Sequence, residues 1–281
     1  MGSGIAQVSA QAGYDTIVRE VSDELCARAR RSIERSFDKS IEKGKATAED
    51  KSAALARIRC TTAVDDLADA DLVIEAVVED AQVKMELFGE LDSIVDDRTL
   101  FATNTSSLTV TELAASTQRA DRFLGLHFFN PVPAMKLVEI VRGLRTSAET
   151  MSRAEAFVRS LGKEPIRTPD SSGFVVNLLL VPYMIDAIRA LESGVASIGD
   201  IDKGMTLGAG HPMGPFTLLD FVGLDTTYKI AEIMFDEYRE KRYAPPPLLK
   251  RMVLAGMLGK KSGKGFYDYS TTPPTPSDLG L

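Results

Sequence analysis

The sequence predicts a doubly wound α/β domain followed by an all-α domain. Three observations support this fold class. Short apolar runs typical of strands alternate with helical segments as far as residue 168. No long linker separates these units, as expected for strand–helix–strand repeats in a parallel sheet. Beyond a turn-rich stretch at 169–173 the pattern is helical. We therefore predict a first domain over 1–169 and a second over 170–281.

Composition limits the class of protein further. A chain of 281 residues can bury a sizeable core in one large or two modest domains. The net charge of −7 argues against a nucleic-acid binder. The two cysteines match no metal spacing, so we expect no metal site and a reducing compartment. Neither a membrane-spanning run nor a signal peptide is visible, and we expect a cytoplasmic protein without membrane contact.

The elements of the first domain follow in order. Segment 1–13 is typical of a small-residue helix with a glycine stop, and segment 15–21 of a short strand. The apolar run 136–141 indicates a further extended segment. The remaining elements continue the alternation, with strands at 58–61, 71–76, 100–107, 123–128 and 164–168 and helices at 23–44, 48–56, 81–95, 109–116 and 148–161.

The second domain is predicted to be helical. Segment 174–191 is apolar almost all round, so it should be buried on most sides. The predicted helices are 174–191, 200–207, 215–239 and 245–257. The tail from residue 270 is rich in proline, threonine and serine, and we expect it to be disordered.

One stretch combines a histidine with a carboxylate. His127 lies in the apolar run 123–128, and Glu139 lies in the run 136–141. Neighbouring extended segments can join these side chains as a general base and its orienting partner. The alternative is a core histidine bonded to a backbone carbonyl. A stiff turn at 130–133 favours the catalytic interpretation, because α/β enzymes build sites at strand ends. His211 is interpreted as a turn or packing residue.

Polar side chains follow the apolar strands at their carboxyl ends. Ligands of doubly wound sheets bind beyond these ends. The residues in question are Glu79, Asn104, Ser106, His127 and Asn130. Their expected convergence predicts a site at this edge of the sheet.

The first 21 residues are typical of the second half of a Rossmann-type dinucleotide-binding unit. A small-residue helix leads into a strand that ends in Glu20, where such a unit places the acid that accepts from the ribose hydroxyls. Gly2 would be the third glycine of Gly-x-Gly-x-x-Gly, which permits close helix–strand packing. The preceding strand and the first two glycines are missing from the sequence. Alone, this fragment also fits a small-residue helix packed on a sheet.

Seven stretches in one order resemble the 3-hydroxyacyl-CoA dehydrogenase family, most closely its short bacterial 3-hydroxybutyryl-CoA dehydrogenase members. The stretches are 1–7, 70–79, 103–107, 125–133, 173–177, 210–216 and 261–267. The resemblance implies NAD-dependent oxidation of (S)-3-hydroxyacyl-CoA to 3-ketoacyl-CoA, or the reverse, with short-chain 3-hydroxybutyryl-CoA as the expected substrate. Butanoate or polyhydroxybutyrate metabolism and fatty acid β-oxidation are all compatible settings.

The resemblance also implies catalytic roles. His127 matches the family's catalytic histidine, and a group that titrates near neutrality can take the hydroxyl proton. Glu139 matches the carboxylate that pairs with it, which would fix the tautomer and stabilise the imidazolium. Ser106 and Asn177 match polar substrate contacts that can hold the C3 oxygen and the thioester carbonyl.

Cofactor and CoA contacts follow from the same matches. Glu20 falls at the ribose-binding acid and favours NAD over NADP, because a carboxylate disfavours a 2′-phosphate, although Arg19 beside it leaves NADP open. Ser36 and Lys43 match positions that contact CoA, where a lysine suits the phosphates as a point charge. A solvated face is the alternative for Lys43. The remaining cofactor matches are Gly2, Glu79, Lys84, Ser106, Asn130 and Lys261.

The chain departs from the family's pattern in one respect, because the family's first strand and two leading glycines are missing. We expect a chain that begins at Met1 to bind NAD poorly, and we hypothesise that Met1 is a misassigned start of a longer protein. Two other functions stay open, namely a related dehydrogenase acting on a free hydroxy acid or sugar acid and a non-catalytic protein that retains the fold. The apolar surfaces of the second domain predict a homodimer through it.

Overall fold

The structure is a computed structural model that describes residues 1–280. It divides into two compact units, the first from Met1 to Ser171 and the second from Ser172 onward. The sequence places the boundary at 169/170, within the same turn-rich stretch. No helix of residues 1–280 is long and apolar enough to cross a membrane.

The first unit alternates strands and helices. Its strands are β1 (Thr16–Arg19), β2 (Ile58–Thr61), β3 (Leu72–Glu75), β4 (Leu100–Thr103), β5 (Phe123–Phe128), β6 (Leu137–Arg142) and β7 (Glu164–Pro169). Its α-helices are α1 (Gly2–Gln11), α2 (Asp23–Glu42), α3 (Ala48–Ala56), α4 (Ala81–Asp92), α5 (Val110–Ala114) and α6 (Ala148–Ser160). Each of these elements was predicted from the sequence, with differences only at the ends.

Side-chain caps fix where several helices begin. The hydroxyl of Ser22 accepts a hydrogen bond from the Leu25 amide at 3.3 Å at the start of α2. Thr47 and Asp50 form a reciprocal capping box at the start of α3. Such caps satisfy amide groups that have no partner within the helix, and each stabilises its helix by about 1 kcal/mol.

The strands form a two-stranded parallel sheet, β1–β2, and a five-stranded sheet in the order β3–β4–β5–β6–β7. All neighbours are parallel except β5 and β6, which run antiparallel. The all-parallel sheet predicted from the sequence is therefore wrong for this pair. Residues 129–136 join the two strands without a helix, whereas a parallel pair needs a crossover of about a dozen residues or more.

Helices cover both faces of the five-stranded sheet. On one face, α4 contributes Phe88, whose ring lies 5.3 Å from that of Phe101 and 4.6 Å from that of Phe123. All three side chains are 0% exposed. On the other face, α1 and α6 pack on residues of β4, β5 and β6. The sheet is thus the middle layer of three, as expected for the doubly wound class.

Helix α1 packs against both sheets through small and aliphatic residues. Ile5 belongs to the core of the five-stranded sheet, whereas Ala6 packs with α2, α3 and β2. A Cβ on Gly4 would lie 2.9 Å from the Cβ of Val132, which is too close. A Cβ on Gly2 would make an ordinary contact at 3.7 Å. Gly2 therefore leaves room for a side chain, and the closest approach of α1 is made by Gly4 to the turn after β5.

The second unit is mostly helical. Its α-helices are α7 (Val176–Glu192), α8 (Ile198–Lys203), α9 (Pro215–Val222), α10 (Leu224–Tyr238) and α11 (Pro247–Leu254). The single helix predicted over 215–239 is wrong, because Gly223 adopts φ +102° and separates α9 from α10. A positive φ of this kind interrupts a right-handed helix and favours glycine.

The tail pairs with the chain segment before it. Strands β8 (Tyr267–Asp268) and β9 (Thr275–Pro276) run antiparallel, and the amide of Ser277 donates to the carbonyl of Phe266 at 2.9 Å. This pairing differs from the disorder expected beyond residue 270. A composition rich in proline and threonine is a property of the segment alone. It carries no information about a neighbouring strand with which the segment can pair.

Two buried carboxylates fix the segment that leads into this tail. Asp220 is 1% exposed and accepts hydrogen bonds from the amides of Phe266 and Tyr267, each at 2.8 Å. Asp202 accepts from the Tyr267 hydroxyl at 3.0 Å. Burial raises the pKa of Asp220, and the hydrogen bonds to its carboxylate oppose that rise. Tyr267 thus lies between two acids that satisfy both its amide and its hydroxyl.

Candidate active site

His127 and Glu139 lie directly opposite each other on the antiparallel strands β5 and β6. Side chains at opposed positions project from the same face of a sheet. The Nδ1 atom of His127 lies 2.6 Å from Oε2 of Glu139. The carboxylate is 0% exposed and the histidine 6% exposed. The sequence-based pairing of these two residues is confirmed as a contact.

The tautomer of His127 follows from this geometry. A carboxylate at Nδ1 favours the proton on that nitrogen, which assigns proton exchange to Nε2. The ring also packs on Phe129, with ring centroids 4.6 Å apart. The orientation of the imidazole is therefore restricted by β5, by the Glu139 carboxylate and by the Phe129 ring, as general base catalysis requires.

Glu79 organises the polar loop after β4. Its Oε1 atom accepts hydrogen bonds from the Thr105 hydroxyl and from the Ser106 amide, the latter at 3.1 Å. Its Oε2 atom lies 2.8 Å from Nζ of Lys84. Two of the residues predicted at the strand ends, Glu79 and Ser106, are thus brought together. The loop that carries Ser106 is held by a charged acceptor, which makes the stronger kind of hydrogen bond.

Lys84 is buried, and its ammonium contacts two carboxylates. Its side chain is 1% exposed, and Nζ lies 3.1 Å from Oε2 of Glu75 in addition to the contact with Glu79. Glu75 also accepts from the Thr103 hydroxyl at 2.7 Å. The sequence-based role of Lys84 as a cofactor contact stays a prediction, and the structure adds that Lys84 supports the strand ends.

The ionisation of Glu79 reflects opposing influences. Burial alone would raise its pKa, but the Lys84 ammonium and the hydrogen bonds from Thr105 and Ser106 outweigh burial and hold the pKa below its usual value. The carboxylate is therefore ionised at neutral pH. Its contribution to stability is present above the unfolded-state pKa and is lost as the pH falls through the folded-state pKa.

Glu79→Gln is expected to destabilise the protein at pH 7 by about 2 kcal/mol, because a buried ammonium loses a charged partner. The difference in unfolding free energy between the variant and wild type should shrink as the pH falls below 4.5, the ordinary pKa of a glutamate side chain. Urea unfolding at pH 7 and pH 4 measures both. Glu90→Gln, at an exposed position on α4, is the control and should change little. A difference that grows towards pH 4 would contradict this assignment.

A carboxamide connects the ends of β4 and β5. Oδ1 of Asn104 accepts a hydrogen bond from the Phe128 amide at 2.9 Å. The sequence placed Asn104 among the strand-end residues without a role. The bond holds the strand end next to His127 against the loop that carries Ser106, so Asn104 and Glu79 fix the same edge from two strands.

Glu75 is the residue that sequence reasoning missed. It ends the buried strand β3 and is 3% exposed. The available signal was an acid at the end of an apolar strand, since burial of a carboxylate needs partners. The structure supplies those partners as Lys84, Thr103 and the amide of Val77.

The other predicted residues are spread over both units. In the first unit, Glu20 directly follows β1, Ser36 is half-buried on α2, and Lys43 is exposed at the end of that helix. In the second unit, Asn177 is near the start of α7, and the Lys261 ammonium lies 2.6 Å from the carboxylate of Asp225. The histidine outside the site, His211, has Nδ1 3.1 Å from the Tyr183 hydroxyl.

The first unit has features that fit a dinucleotide. No side chain caps the start of α1, and its first turn holds no acidic residue. The amides and dipole of such a helix end favour an anion such as a pyrophosphate. Glu20 follows the adjacent strand β1, where a carboxylate can accept from ribose hydroxyls. In residues 1–280 no group of three or more His, Cys, Asp or Glu side chains could hold a metal ion.

This fold and this arrangement of residues are typical of dinucleotide-dependent dehydrogenases. Comparison with known families gives two matches. The 3-hydroxyacyl-CoA dehydrogenase NAD binding domain matches residues 1–171, and the 3-hydroxyacyl-CoA dehydrogenase C-terminal domain matches residues 173–269. The chain therefore belongs to the 3-hydroxyacyl-CoA dehydrogenase family.

Individual relatives cover nearly the whole chain. A 3-hydroxybutyryl-CoA dehydrogenase of Mycobacterium tuberculosis is 51% identical over 271 residues, which span 96% of this chain and 95% of that protein. The mitochondrial hydroxyacyl-coenzyme A dehydrogenase of Homo sapiens is 46% identical over 276 residues, with 96% and 88% covered. The crystal structure of (S)-3-hydroxybutyryl-CoA dehydrogenase from Ralstonia eutropha has a TM-score of 0.92 at 45% identity and covers 96% of each chain.

These comparisons confirm three expectations from the sequence. The chain has the predicted fold class, it is an NAD-dependent oxidoreductase, and its family is the one that the seven stretches resemble. The NAD binding domain also favours NAD over NADP, in line with Glu20. The roles of individual residues stay predictions.

Proposed function

We propose that this chain interconverts (S)-3-hydroxybutyryl-CoA and acetoacetyl-CoA with NAD, using His127 as the general base. The observation that carries the proposal is the contact of 2.6 Å between His127 and Glu139, at the carboxyl end of β5 in a dinucleotide-binding unit. The short acyl chain is supported by relatives named 3-hydroxybutyryl-CoA dehydrogenase at 51% and 43% identity.

His127 moves the proton of the reaction. In the oxidative direction, Nε2 accepts the proton of the C3 hydroxyl, and the imidazolium that forms is stabilised by the buried carboxylate of Glu139. In the reductive direction, the same imidazolium returns the proton to the C3 oxygen. The chemistry supplied by bound NAD is acceptance of the hydride from C3.

Polar groups near the reacting carbon complete the proposal. The Ser106 hydroxyl and the Asn177 carboxamide would hold the C3 oxygen and the thioester carbonyl. The loop of Ser106 is fixed for this task because Glu79 accepts from its amide. Glu20 and the start of α1 would hold the ribose and the pyrophosphate of NAD, with Gly2, Glu79, Lys84, Asn130 and Lys261 as further contacts.

The proposal is tested by following NADH oxidation at 340 nm with acetoacetyl-CoA. At saturating NADH, we expect kcat/KM for acetoacetyl-CoA to be about 10⁴ M⁻¹s⁻¹ or more, the usual range for a physiological substrate. Free acetoacetate should be at least a hundredfold poorer, because it lacks the CoA contacts. Turnover of the free acid without turnover of the thioester would instead support the alternative dehydrogenase. NADPH should replace NADH poorly.

We further propose that the protein acts in the cytoplasm as a homodimer through its second unit and does not bind nucleic acid. Exposed apolar side chains in that unit, such as Leu179 at 65% and Phe221 at 54% exposure, support a partner surface. The free thiols Cys26 and Cys60 support a reducing compartment. Sedimentation should give twice the chain mass of 30.5 kDa, and a monomer at micromolar concentration would contradict the dimer.

A further inference from the structure

Lys163 is a buried lysine whose ammonium contacts backbone carbonyls. It is 6% exposed, and its Nζ atom donates hydrogen bonds to the carbonyls of Val132 at 2.6 Å and Met135 at 2.7 Å. Both carbonyls belong to the connection 129–136 between β5 and β6. Burial lowers the pKa of Lys163, and no carboxylate within residues 1–280 opposes that shift. Burying an ammonium with neutral partners alone is unfavourable, so the contacts that it makes need an explanation.

The backbone on either side of Lys163 is held by regular structure. Its amide donates to the carbonyl of Val158 in α6 at 3.3 Å, and the next residue, Glu164, pairs with Leu137 at the start of β6. The connection 129–136 has no helix or strand of its own. The ammonium therefore extends from a rigid part of the unit to a segment without regular structure, and it fixes two carbonyls of that segment.

Val132 joins this connection to α1. Its side chain is 2% exposed and packs in the same core as Ile5 and Val8 of α1. The approach to the helix is close, since a Cβ on Gly4 would lie 2.9 Å from the Cβ of Val132. The same residue thus contacts Lys163 through its carbonyl and the first turn of α1 through its side chain. A displacement of Val132 would therefore be transmitted to the start of that helix.

We infer that Lys163 is a positioning residue for the cofactor, because it holds Val132 against Gly4 and thereby fixes the start of α1, where the pyrophosphate of NAD would bind. This inference rests on the proposed function, which assigns that helix end to the pyrophosphate. Amides at a helix end stabilise an anion only at hydrogen-bond distance, so a small displacement of the helix weakens binding. In this arrangement Lys163 acts through Val132 rather than by contact with the cofactor.

The general base should be insensitive to Lys163. His127 is held by the pairing of β5 with β6 and by its contact with Glu139. Neither depends on the carbonyls that Lys163 fixes. Loss of the ammonium should therefore weaken cofactor binding and leave the chemical step nearly unchanged.

Fluorescence titration of the full chain with NADH measures the affinity, and acetoacetyl-CoA reduction at saturating NADH measures kcat. Lys163→Met removes the ammonium and keeps most of the aliphatic stem. It should raise the Kd for NADH by about tenfold, within the hundredfold that a displacement of about 1 Å can cost. The kcat should stay within about threefold of wild type. Lys136→Met, at an exposed lysine of the same connection, is the matched control and should bind NADH as wild type does.

Two further variants cover the case in which Lys163→Met does not fold. Lys163→Gln retains N–H donors on a shorter side chain, and Gly4→Ala disturbs the same contact from the side of α1. Each should raise the Kd for NADH by about threefold or more. Unchanged NADH affinity in Gly4→Ala would overturn the inference, because the start of α1 would then be insensitive to Val132.

A structural role alone would lower the melting temperature and leave the NADH affinity of the folded protein unchanged. That result for the Lys163 variants would overturn the inference, as would a loss of kcat at unchanged NADH affinity or a failure of both Lys163 variants to fold. Wild type that neither binds NADH nor reduces acetoacetyl-CoA would instead overturn the proposed function.

Discussion

His127→Gln is expected to lower kcat for acetoacetyl-CoA reduction by roughly 10³-fold, within the range of 10²–10⁴ for a lost general acid–base group. Glutamine keeps a donor for the buried carboxylate of Glu139, so the fold should survive. Stopped-flow or steady-state NADH oxidation measures the loss, and circular dichroism checks the fold. The KM for the thioester should change little, since the imidazole acts on the proton.

The matched control is His211→Gln, because His211 is the second histidine and lies outside the first unit. We expect nearly unchanged activity for it. Glu139→Gln should also slow turnover, and the double variant His127→Gln/Glu139→Gln should be no slower than His127→Gln alone, because residues that act as a unit are not additive. Additive losses, or full activity of His127→Gln, would remove this pair from the reaction.

Gly265→Ala is expected to destabilise the second unit by about 3 kcal/mol or more. A Cβ at this position would lie 2.0 Å from Oδ1 of Asp220 and 2.6 Å from Cα of Gly259. Neither neighbour can move cheaply, since Asp220 already accepts hydrogen bonds from the amides of Phe266 and Tyr267. The variant must therefore shift backbone or break bonds to a buried carboxylate. Denaturant unfolding measures the loss.

Gly204→Ala is the comparison in the same unit. Apart from the neighbouring residues and backbone of its own helix, no atom lies within 4 Å of the position that its Cβ would take, and its backbone has φ −59°, which any residue adopts. Alanine there should be neutral or should stabilise by up to about 1 kcal/mol, by restricting the unfolded chain. Equal stability of Gly265→Ala and Gly204→Ala would show that the Asp220 network gives way at low cost.

Much of the first unit could be predicted because its signals are local. The bounds predicted for the strands 58–61 and 123–128 agree with the structure to the residue, and the second of them is a short apolar run with clear boundaries. The approach of His127 to Glu139 was predicted from two such runs and from the family resemblance. The antiparallel direction of β6 was missed. A repeating strand–helix pattern favours parallel pairing, and only the short link 129–136 indicates an antiparallel pair.

What could not be predicted depends on contacts between distant parts of the chain. Gly223 looks like a tolerated glycine within a helical pattern, and the residues beside it do not indicate that its φ is +102°. The groups that donate hydrogen bonds to the carboxylates of Asp202 and Asp220 come from other segments, so the burial of these two acids has no signature in the residues beside them. The order of the tail after 270 also depends on a partner outside it, since β9 pairs with β8.

The opposed position of His127 and Glu139 constrains which insertions and deletions this chain can tolerate. Side chains alternate between the two faces of a strand, so loss of one residue from β6 would turn the carboxylate to the opposite face. Residues 129–136 are different, because a hairpin connection can change length while the strands that it joins keep their pairing. A relative can therefore differ in length within the connection and keep a working histidine. A difference in length within the strand is incompatible with one.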